Sequence, residues 1–396
     1  MSKKKVSFLF WKRDKEITNI FNLLGKNKLF FVGGAVRNTL KGIVCEDLDI
    51  AANIEPNNLK NILKKNDIIF FDNSKGHGTV TVKNGNFNVE ITSFRLDVIT
   101  FGRKAKVNFT NDIYLDSCRR DFTINAIYSD FNGNIYDPHE GLKDLNNKIV
   151  KFIGDPAKRI KEDNLRILRY FRFVAQYSKS SKDIEKKSLN ACINNRLLLR
   201  NLSKERLNFE FKKLILSDNA GFSISLLKKY QIIDFILDGL GKLNEKDIKL
   251  FNMVYKDFSV RLAYLAHKAK LSKKQIKKSL KLSNKQTKEI ELLLENDAIF
   301  GNTNEARTIK YYYGEIVALK KYKLMIGLNK VKEKKAILNV IRYWTPPMFP
   351  LTGKDLIELG LKGKNIGRML REVEKWWIDN SFKANKQKCL KKVKYY

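Results

Sequence analysis

Histidine and cysteine are both scarce in this chain of 396 residues. Three histidines occur (His77, His139, His267), with no His-Asp dipeptide, and four cysteines (Cys45, Cys118, Cys192, Cys389), with no CxxC and no close pair. That spacing argues against a disulfide framework and a zinc site, and it fits a reducing compartment. No apolar run approaches the roughly 20 residues of a membrane-spanning helix. The opening MSKKKVSFLFWKRDKE is apolar only over residues 6–11, shorter than a signal-peptide core, before charge resumes. A cytoplasmic protein without membrane association is expected. Six prolines are present and none lies between residues 157 and 345, which leaves that stretch free to form helices.

Positive charge is what the chain has in excess. Lys plus Arg number 78 against 42 Asp plus Glu, a formal net charge of +36. Such a field suits a polyanion, nucleic acid before acidic membrane. A genomic bias that raises Lys, Asn and Ile together produces the same excess without any partner, and the two causes are compatible.

The texture changes once along the chain. The first 150 residues read as α/β, with β-rich runs at 29–32, 48–52, 68–71, 79–82 and 87–93 and helices at 35–41 and 56–65, the latter with Pro56 in its first turn. After Asp155-Pro156, apolar residues recur every three or four positions, as in Leu165, Leu168 and Phe171. The remainder is expected to be all-helical, broken near 239–241, 301–303 and 345–347.

Within "EDLDIA" (46–51), Asp47 and Asp49 fall on one face of a short strand. Two like charges on one face repel, so a bound cation would hold them there; the plainer alternative is a strand end entering a solvated turn. Upstream, "FFVGGAVRNTL" (30–40) runs strand, Gly33-Gly34, helix. Backbone N–H groups at a helix start can face a phosphate, and glycine permits its close approach. Arg37, one turn in, adds a charge-assisted contact. The pattern is neither GxGxxG nor a Walker loop, and a tight turn is its alternative reading. With Glu90 in "NVEIT" these pieces suggest nucleotidyl transfer, two Mg²⁺ ions on Asp47 and Asp49 activating a 3′-hydroxyl and neutralising a triphosphate. Glu90 is either a third member of that site or a structural strand carboxylate.

Further blocks follow in order: "RRDFTINA" (119–126), "YDPHEGLKDL" (136–145), "GDPAKRIKEDNLRILRYFRF" (154–173), "LSKERLNFEF" (202–211) and "PLTGKDLIELGL" (350–361). Together with "GGAVR" and "DLD" they resemble the bacterial class II tRNA nucleotidyltransferases, or CCA-adding enzymes, close kin of bacterial poly(A) polymerases. The blocks span most of the chain. The resemblance implies an α+β fold: an N-terminal polymerase β-type nucleotidyltransferase head, a mixed sheet with helices, then an all-helical neck, body and tail. The expected division is a catalytic head over 1–148, a neck over 149–216 holding the base template, a body over 217–300 and a tRNA-binding tail over 301–396. The metal-phosphohydrolase domain attached to some relatives is expected to be absent, since there is no His-Asp dipeptide.

The same resemblance places Arg119, Arg120 and Asp121 at the sugar and phosphates of the nucleotide. A carboxylate there can accept from the ribose 2′-hydroxyl; Asp121 as N-cap of the next helix is the structural alternative. In "EDNLR", Asp163 and Arg166 are three apart and are expected on one helix face, with Glu162 orienting Arg166. Cytosine and adenine each offer an amino donor beside a ring acceptor, whereas uracil and guanine offer the reverse. A carboxylate beside a guanidinium therefore matches C and A. The resemblance assigns that templating role to Asp163 and Arg166 and sets Arg169 and Arg172 near the incoming nucleotide. Their alternatives are an ordinary i,i+4 salt bridge and a solvated helix face.

Arg95 and Asp97 in "FRLD" match the Arg-x-Asp element of a mobile loop that family members use to switch from C to A. The expected function is CCA addition to tRNA from CTP and ATP with two Mg²⁺ ions. A poly(A) polymerase is the runner-up, and a catalytically dead RNA-binding protein a more distant one. The basic helices are expected to hold the tRNA acceptor arm through phosphates, with no obligate protein partner. Gly360–Gly367 is either a phosphate cradle or an interhelical turn. Asn38 stands where the family usually has Asp.

Overall fold

Strand β1 (Leu29–Val32) reads LFFV and is almost wholly buried, as a central strand covered on both faces must be. It lies in a seven-stranded sheet that also holds β2 (Asp47–Ala52), β3 (Phe70–Ser74), β4 (Thr79–Asn84), β5 (Phe87–Ser93), β8 (Tyr128–Ser129) and β9 (Ile135–Tyr136), in the order β3-β4-β5-β2-β1-β8-β9. Among the described residues only β2 and β5 pair in parallel; the other ladders are antiparallel. The sheet is mixed, as expected. The computed structural model describes residues 10–43, 47–74, 78–84, 87–101, 104–295 and 300–393. The N-terminal stretch before residue 10, Cys45 and His77 lie outside the described residues.

Helix α1 (Lys15–Leu24) starts where the Asp14 carboxylate accepts from the Ile17 N–H at 2.9 Å. It buries Ile17, Ile20, Phe21 and Leu24 at helical spacing. Phe21 and Trp11 both stack on Phe31 of β1, with centroids 4.8 and 4.3 Å away. Helix α2 (Gly34–Leu40) follows β1 directly and packs on β1 and β2, and α3 (Pro56–Lys65) follows β2. The strand expected at 68–71 begins two residues later, because Asp67 takes a left-handed φ of 53° and the Ile68 N–H turns back to the Leu63 carbonyl.

The segment expected as a loop around Arg95 and Asp97 is instead an antiparallel pair, β6 (Arg95–Phe101) with β7 (Lys104–Phe109), forming its own two-stranded sheet. Helix α4 (Ile113–Cys118) follows, and then the RRDFTINA block, whose Phe122 bridges to Phe152. Helix α5 (Gly141–Asn146) packs on the short 3₁₀ turn Thr123–Asn125 of that block.

The helical remainder begins with α6 (Pro156–Glu162), capped by Asp155 with proline in its first turn. It continues with α7 (Leu165–Tyr177), α8 (Lys186–Asn194), α9 (Lys204–Ile215), α10 (Ala220–Lys229), α11 (Glu245–Leu250), α12 (Phe258–Lys268), α13 (Lys273–Ser279), α14 (Asn284–Leu294), α15 (Thr303–Gly327), α16 (Lys335–Tyr343), α17 (Gly353–Glu358), α18 (Lys364–Asp379) and α19 (Lys386–Val393). Breaks occur at the three expected places and at many others. Phe122, Phe152, Tyr170 and Phe173 form one aromatic cluster, so α7 is fixed to the RRDFTINA block by its own core residues.

The chain divides into two compact units, Met1–Asn252 with Lys274–Leu282, and Met253–Lys273 with Ser283–Tyr396. Within the second, Leu351, Leu356, Met369, Val373, Trp377 and Ile378 form a buried core. Gly360 and Gly363, both at positive φ, make the turn between α17 and α18. Cys118, Cys192 and Cys389 are free thiols. Among the described residues, no helix is long and apolar enough to cross a membrane.

Gly141 is sterically obligatory. A Cβ on Gly141 would collide with the Thr123 backbone carbonyl, which has no rotamer to escape through. Gly141→Ala is expected to cost about 1–3 kcal/mol and lower the melting temperature of the first unit by several degrees, measured by circular dichroism. An unchanged melting temperature would show that the Thr123–Asn125 turn yields.

Candidate active site

Three carboxylates meet on one sheet face. In the parallel ladder Asp47 stands opposite Asn88 and Asp49 opposite Glu90. Strand β2 exposes Asp47 and Asp49 while burying Leu48 and Ile50. Although the Asp49 side chain is accessible, the cleft walls desolvate its carboxyl and push it up; Arg120 and Arg37 oppose that shift and Asp47 adds to it. Burial also raises Glu90, followed by the charges of Asp49 and Asp47. Asp47, Asp49 and Glu90 all line a recess on this face of the sheet. Gly33 has φ 64°, and a Cβ there would lie 3.4 Å from Asp49 Oδ2, so the glycine both turns the chain and leaves room beside the carboxylate.

A cavity of about 600 Å³ opens from Asp49 and is lined by Gly33, Gly34, Arg37, Arg95, Arg119, Arg120, Asp121, Asp163, Arg166, Arg169, Arg172 and Arg206. It gathers sequence-selected residues from six separate blocks, whereas Asp47, Glu90, Asp97 and Glu162 are not part of its lining. Eight of the lining residues are arginines, and nearly every one is tethered. Buried Asp116 accepts from Arg119 Nε at 2.9 Å, Arg120 Nη2 at 3.0 Å and the Tyr128 hydroxyl at 2.7 Å. Burial pushes Asp116 up, but Arg120 and Arg119 outweigh it and hold the carboxyl at about 2.

Asp121 accepts from the Phe122 N–H, from Asn125 Nδ2 at 2.8 Å and from Arg169 Nη2 at 2.6 Å. Burial raises its carboxyl, yet Arg169 and Asn125 hold it well below the usual carboxylate range. Phe122, not Asp121, is the N-cap of the following 3₁₀ turn, and Asp121 bonds only the adjoining Phe122 N–H and the Asn125 side chain of that segment while lining the cavity. Asn125 also accepts from Arg37 Nη1, while Arg37 Nε donates to the Tyr177 hydroxyl at 2.5 Å. That hydroxyl donates on to Asn38 Oδ1 at 3.4 Å, so the departure at position 38 still receives a proton donor.

The expected common helix for Asp163 and Arg166 is a correction. Helix α6 ends at Glu162, Asp163 is extended (φ −150°, ψ 107°), and α7 begins at Leu165. The break frees Asp163 to meet Arg206 of α9, whose Nη2 lies 2.7 Å from Oδ2 and 3.0 Å from Oδ1. Glu162 does hold Arg166, at 2.5 Å, and holds Arg159 as well. Arg159 in turn donates to the carbonyls of Arg119 and Arg120 at 2.5 and 2.6 Å. Arg172 is buried, 2.7 Å from the buried Glu210. The run Arg166, Arg169, Arg172 is thus a cleft wall and not a solvated face.

Arg95 also reaches the cavity, 3.5 Å from Asp97, and burial lowers its guanidinium to about 10. Sequence reasoning missed Asp116, Asn125, Arg159, Arg206 and Glu210. A usable signal existed for two: Arg206 and Glu210 sit four apart in "LSKERLNFEF".

Two family models match the chain: "Poly A polymerase head domain" over residues 29–151 and "Probable RNA and SrmB- binding site of polymerase A" over 183–243. A mitochondrial CCA tRNA nucleotidyltransferase 1 of Mus musculus is 31% identical, covering 98% of this chain and 91% of the relative. This chain belongs to the tRNA nucleotidyltransferase/poly(A) polymerase family. A CCA-adding enzyme of Pediococcus pentosaceus is 30% identical over 89% of this chain and 90% of its own. The crystal structure of the Bacillus stearothermophilus CCA-adding enzyme in complex with CTP aligns with a TM-score of 0.82 at 26% identity, covering 96% of both chains. For this nucleotidyltransferase, the fold and the order of its blocks agree with the expectation from sequence.

Asp116 generates a prediction with a sign. Its folded carboxyl, near 2, lies below the ordinary 3.8, so its stabilisation is present above about pH 4 and lost as pH falls toward 2. Asp116→Asn leaves two guanidiniums poorly compensated and should cost about 3–5 kcal/mol at pH 7. The difference between wild type and variant in urea midpoint should shrink as pH drops below 4. A pH-independent difference would assign the cost to packing.

Proposed function

We propose that this chain completes the 3′-terminal CCA of tRNA from CTP and ATP without a nucleic-acid template, releasing diphosphate, and that the cleft beside Asp49 is its catalytic centre. The carrying observation is one carboxylate, Asp49, standing at the edge of a cavity walled by eight arginines. An anionic triphosphate and a reacting hydroxyl are brought to the same carboxylate. The near full-length likeness to CCA-adding enzymes supports the same activity.

Arg119, Arg120, Arg169 and Arg172 bind the triphosphate, pre-aimed by Asp116, Asp121 and Glu210, so little reorganisation is needed as charge develops on the α-phosphate. Gly33 and Gly34 leave space for a phosphate beside Asp49, and Arg37 is steered by Asn125. Asp121 keeps lone pairs for the ribose 2′-hydroxyl. The primer 3′-hydroxyl attacks the α-phosphate and diphosphate leaves. Asp163 accepts from the amino group of C or A while Arg166 donates to the adjacent ring nitrogen; Glu162 fixes Arg166, and Arg206 fixes Asp163. Arg95 and Asp97 couple the β6–β7 pair to the switch from C to A.

Asp47 and Asp49 fit two Mg²⁺ ions, with Glu90 beside them. Among the described residues no group of three or more His, Cys, Asp or Glu is arranged to hold a metal ion; Mg²⁺ is commonly held by one or two carboxylates plus substrate phosphates. Asp49 and Glu90 are pushed up first by burial and then by their neighbouring carboxylates, and a divalent cation would offset both. When bound, such ions activate the hydroxyl and neutralise the triphosphate.

The proposed division is head (1–148), neck (149–216), body (217–300) and tail (301–396); the match over 29–151 supports the head, whereas the match over 183–243 crosses the neck–body boundary. The basic helices hold the tRNA acceptor arm. The proposed compartment is the cytoplasm, in keeping with the bacterial relatives.

The deciding experiment supplies CTP, ATP or both to tRNA lacking its 3′ end. Addition stopping after three nucleotides is expected; an open-ended A ladder would establish poly(A) synthesis. Asp47→Ala should lose incorporation of both nucleotides while tRNA binding persists, and more than a few per cent of wild-type turnover would remove the metal role.

Asp163→Ala tests base choice. Paired contacts to a base edge are worth about 1–3 kcal/mol of discrimination, so the C:U ratio of kcat/KM should fall about 10- to 100-fold. If only stability changes and the ratio holds, Asp163 is a structural partner of Arg206 and nothing more.

A further inference from the structure

A second cavity, of about 580 Å³, lies on the sheet side of the same carboxylates. Its floor is written in the strand register. Phe71 stands opposite Thr81, Thr81 opposite Glu90, and Glu90 opposite Asp49. A parallel row runs from Lys83 to Asn88 to Asp47. Directly opposed residues share a face, so both rows present their side chains to one side and line this cavity. Asp49 belongs to both cavities.

The two cavities differ in charge. The first has eight arginines; this one has a single lysine and three carboxylates. A triphosphate is drawn to the first and repelled by the second. At the outer edge, Phe71 is 46% exposed on edge strand β3, and Lys83 Nζ lies 5.7 Å from its ring centroid. An exposed aromatic beside one cation is the device by which proteins hold single-stranded nucleic acid: the base stacks and the cation meets its phosphate. In-line displacement also requires the attacking hydroxyl to approach the α-phosphate from the side opposite the leaving diphosphate.

We propose that this cavity is the acceptor subsite, in which the 3′-terminal nucleotide of the RNA primer stacks on Phe71, with its phosphate at Lys83 and its 3′-hydroxyl toward Asp49. The assignment rests on the nucleotidyl-transfer reading above. It gives β3 and β4, which supply none of the lining of the arginine-rich cavity, a role in binding RNA.

The test uses full-length enzyme, tRNA lacking its 3′ end, and CTP. Phe71→Ala should raise KM for tRNA roughly 10-fold while KM for CTP stays within about twofold, a split that a general folding defect does not produce. Phe71→Tyr, which keeps a stacking face, should restore it. Lys83→Ala should weaken primer binding and lower the slope of log binding constant against log salt by about 0.7, the loss of one phosphate contact on a single strand. Unchanged KM for tRNA in Phe71→Ala, equal rises in both KM values, or an unchanged salt slope would overturn the subsite. Wild-type enzyme that incorporates neither C nor A would instead overturn the activity reading.

Discussion

Eight guanidinium groups cannot share one cleft without counter-charges, and the arrangement of the first unit depends on meeting that requirement. Asp116 holds Arg119 and Arg120, Asp121 holds Arg169, Glu162 holds Arg166, Glu210 holds Arg172, and Asp163 holds Arg206. Asp116, Asp121 and Glu210 are buried, where an uncompensated charge would be costly. Each pair thus fixes a guanidinium in direction as well as place. Under the proposed function, a triphosphate entering the cleft would meet donors already aimed, and the field drawing it in would not be dissipated by mobile side chains.

The counter-charges also join segments distant in the chain. Arg159 reaches from α6 to two carbonyls of the RRDFTINA block, and Asp121 of that block meets Arg169 on α7. The aromatic cluster of Phe122, Phe152, Tyr170 and Phe173 lies under these polar links. Apolar packing sets how α7 approaches the sheet, and the ion pairs fix the side chains on its cleft face. Neither suffices alone: packing is non-directional, and ion pairs this crowded need a rigid frame.

The sheet imposes a different constraint, because side chains alternate along a strand and align across it. With β2 and β5 in parallel register, Asp47, Asp49 and Glu90 must share a face, and the same register carries that face out to Phe71 and Lys83. Asp49 thereby borders an arginine-rich cavity on one side and an acidic one on the other. That asymmetry at a single carboxylate suits the proposed joining of a triphosphate to a hydroxyl.

Much of this was legible in the chain before any coordinates. The Asp47/Asp49 alternation, the Gly33-Gly34 turn before a helix, and the strands at 29–32 and 87–93 follow from local rules of pleat, turn and burial, and the ordered blocks carried the family. Local rules could not reach pairings between distant segments. Nothing near Asp163 announces Arg206, and the helix expected across 163–166 breaks because that pair, formed across about forty residues, outweighs local helix preference. Asp116 sits within a turn of Arg119 and Arg120, yet only its burial makes it the hub. The β6–β7 pair was hidden because its strands find each other and not the main sheet. The sequence by itself determined which chemical groups are present and which local elements carry them. Tertiary structure decided which charges neutralise one another and which sheet face lies beside the cleft, because both depend on contacts between residues far apart in the chain.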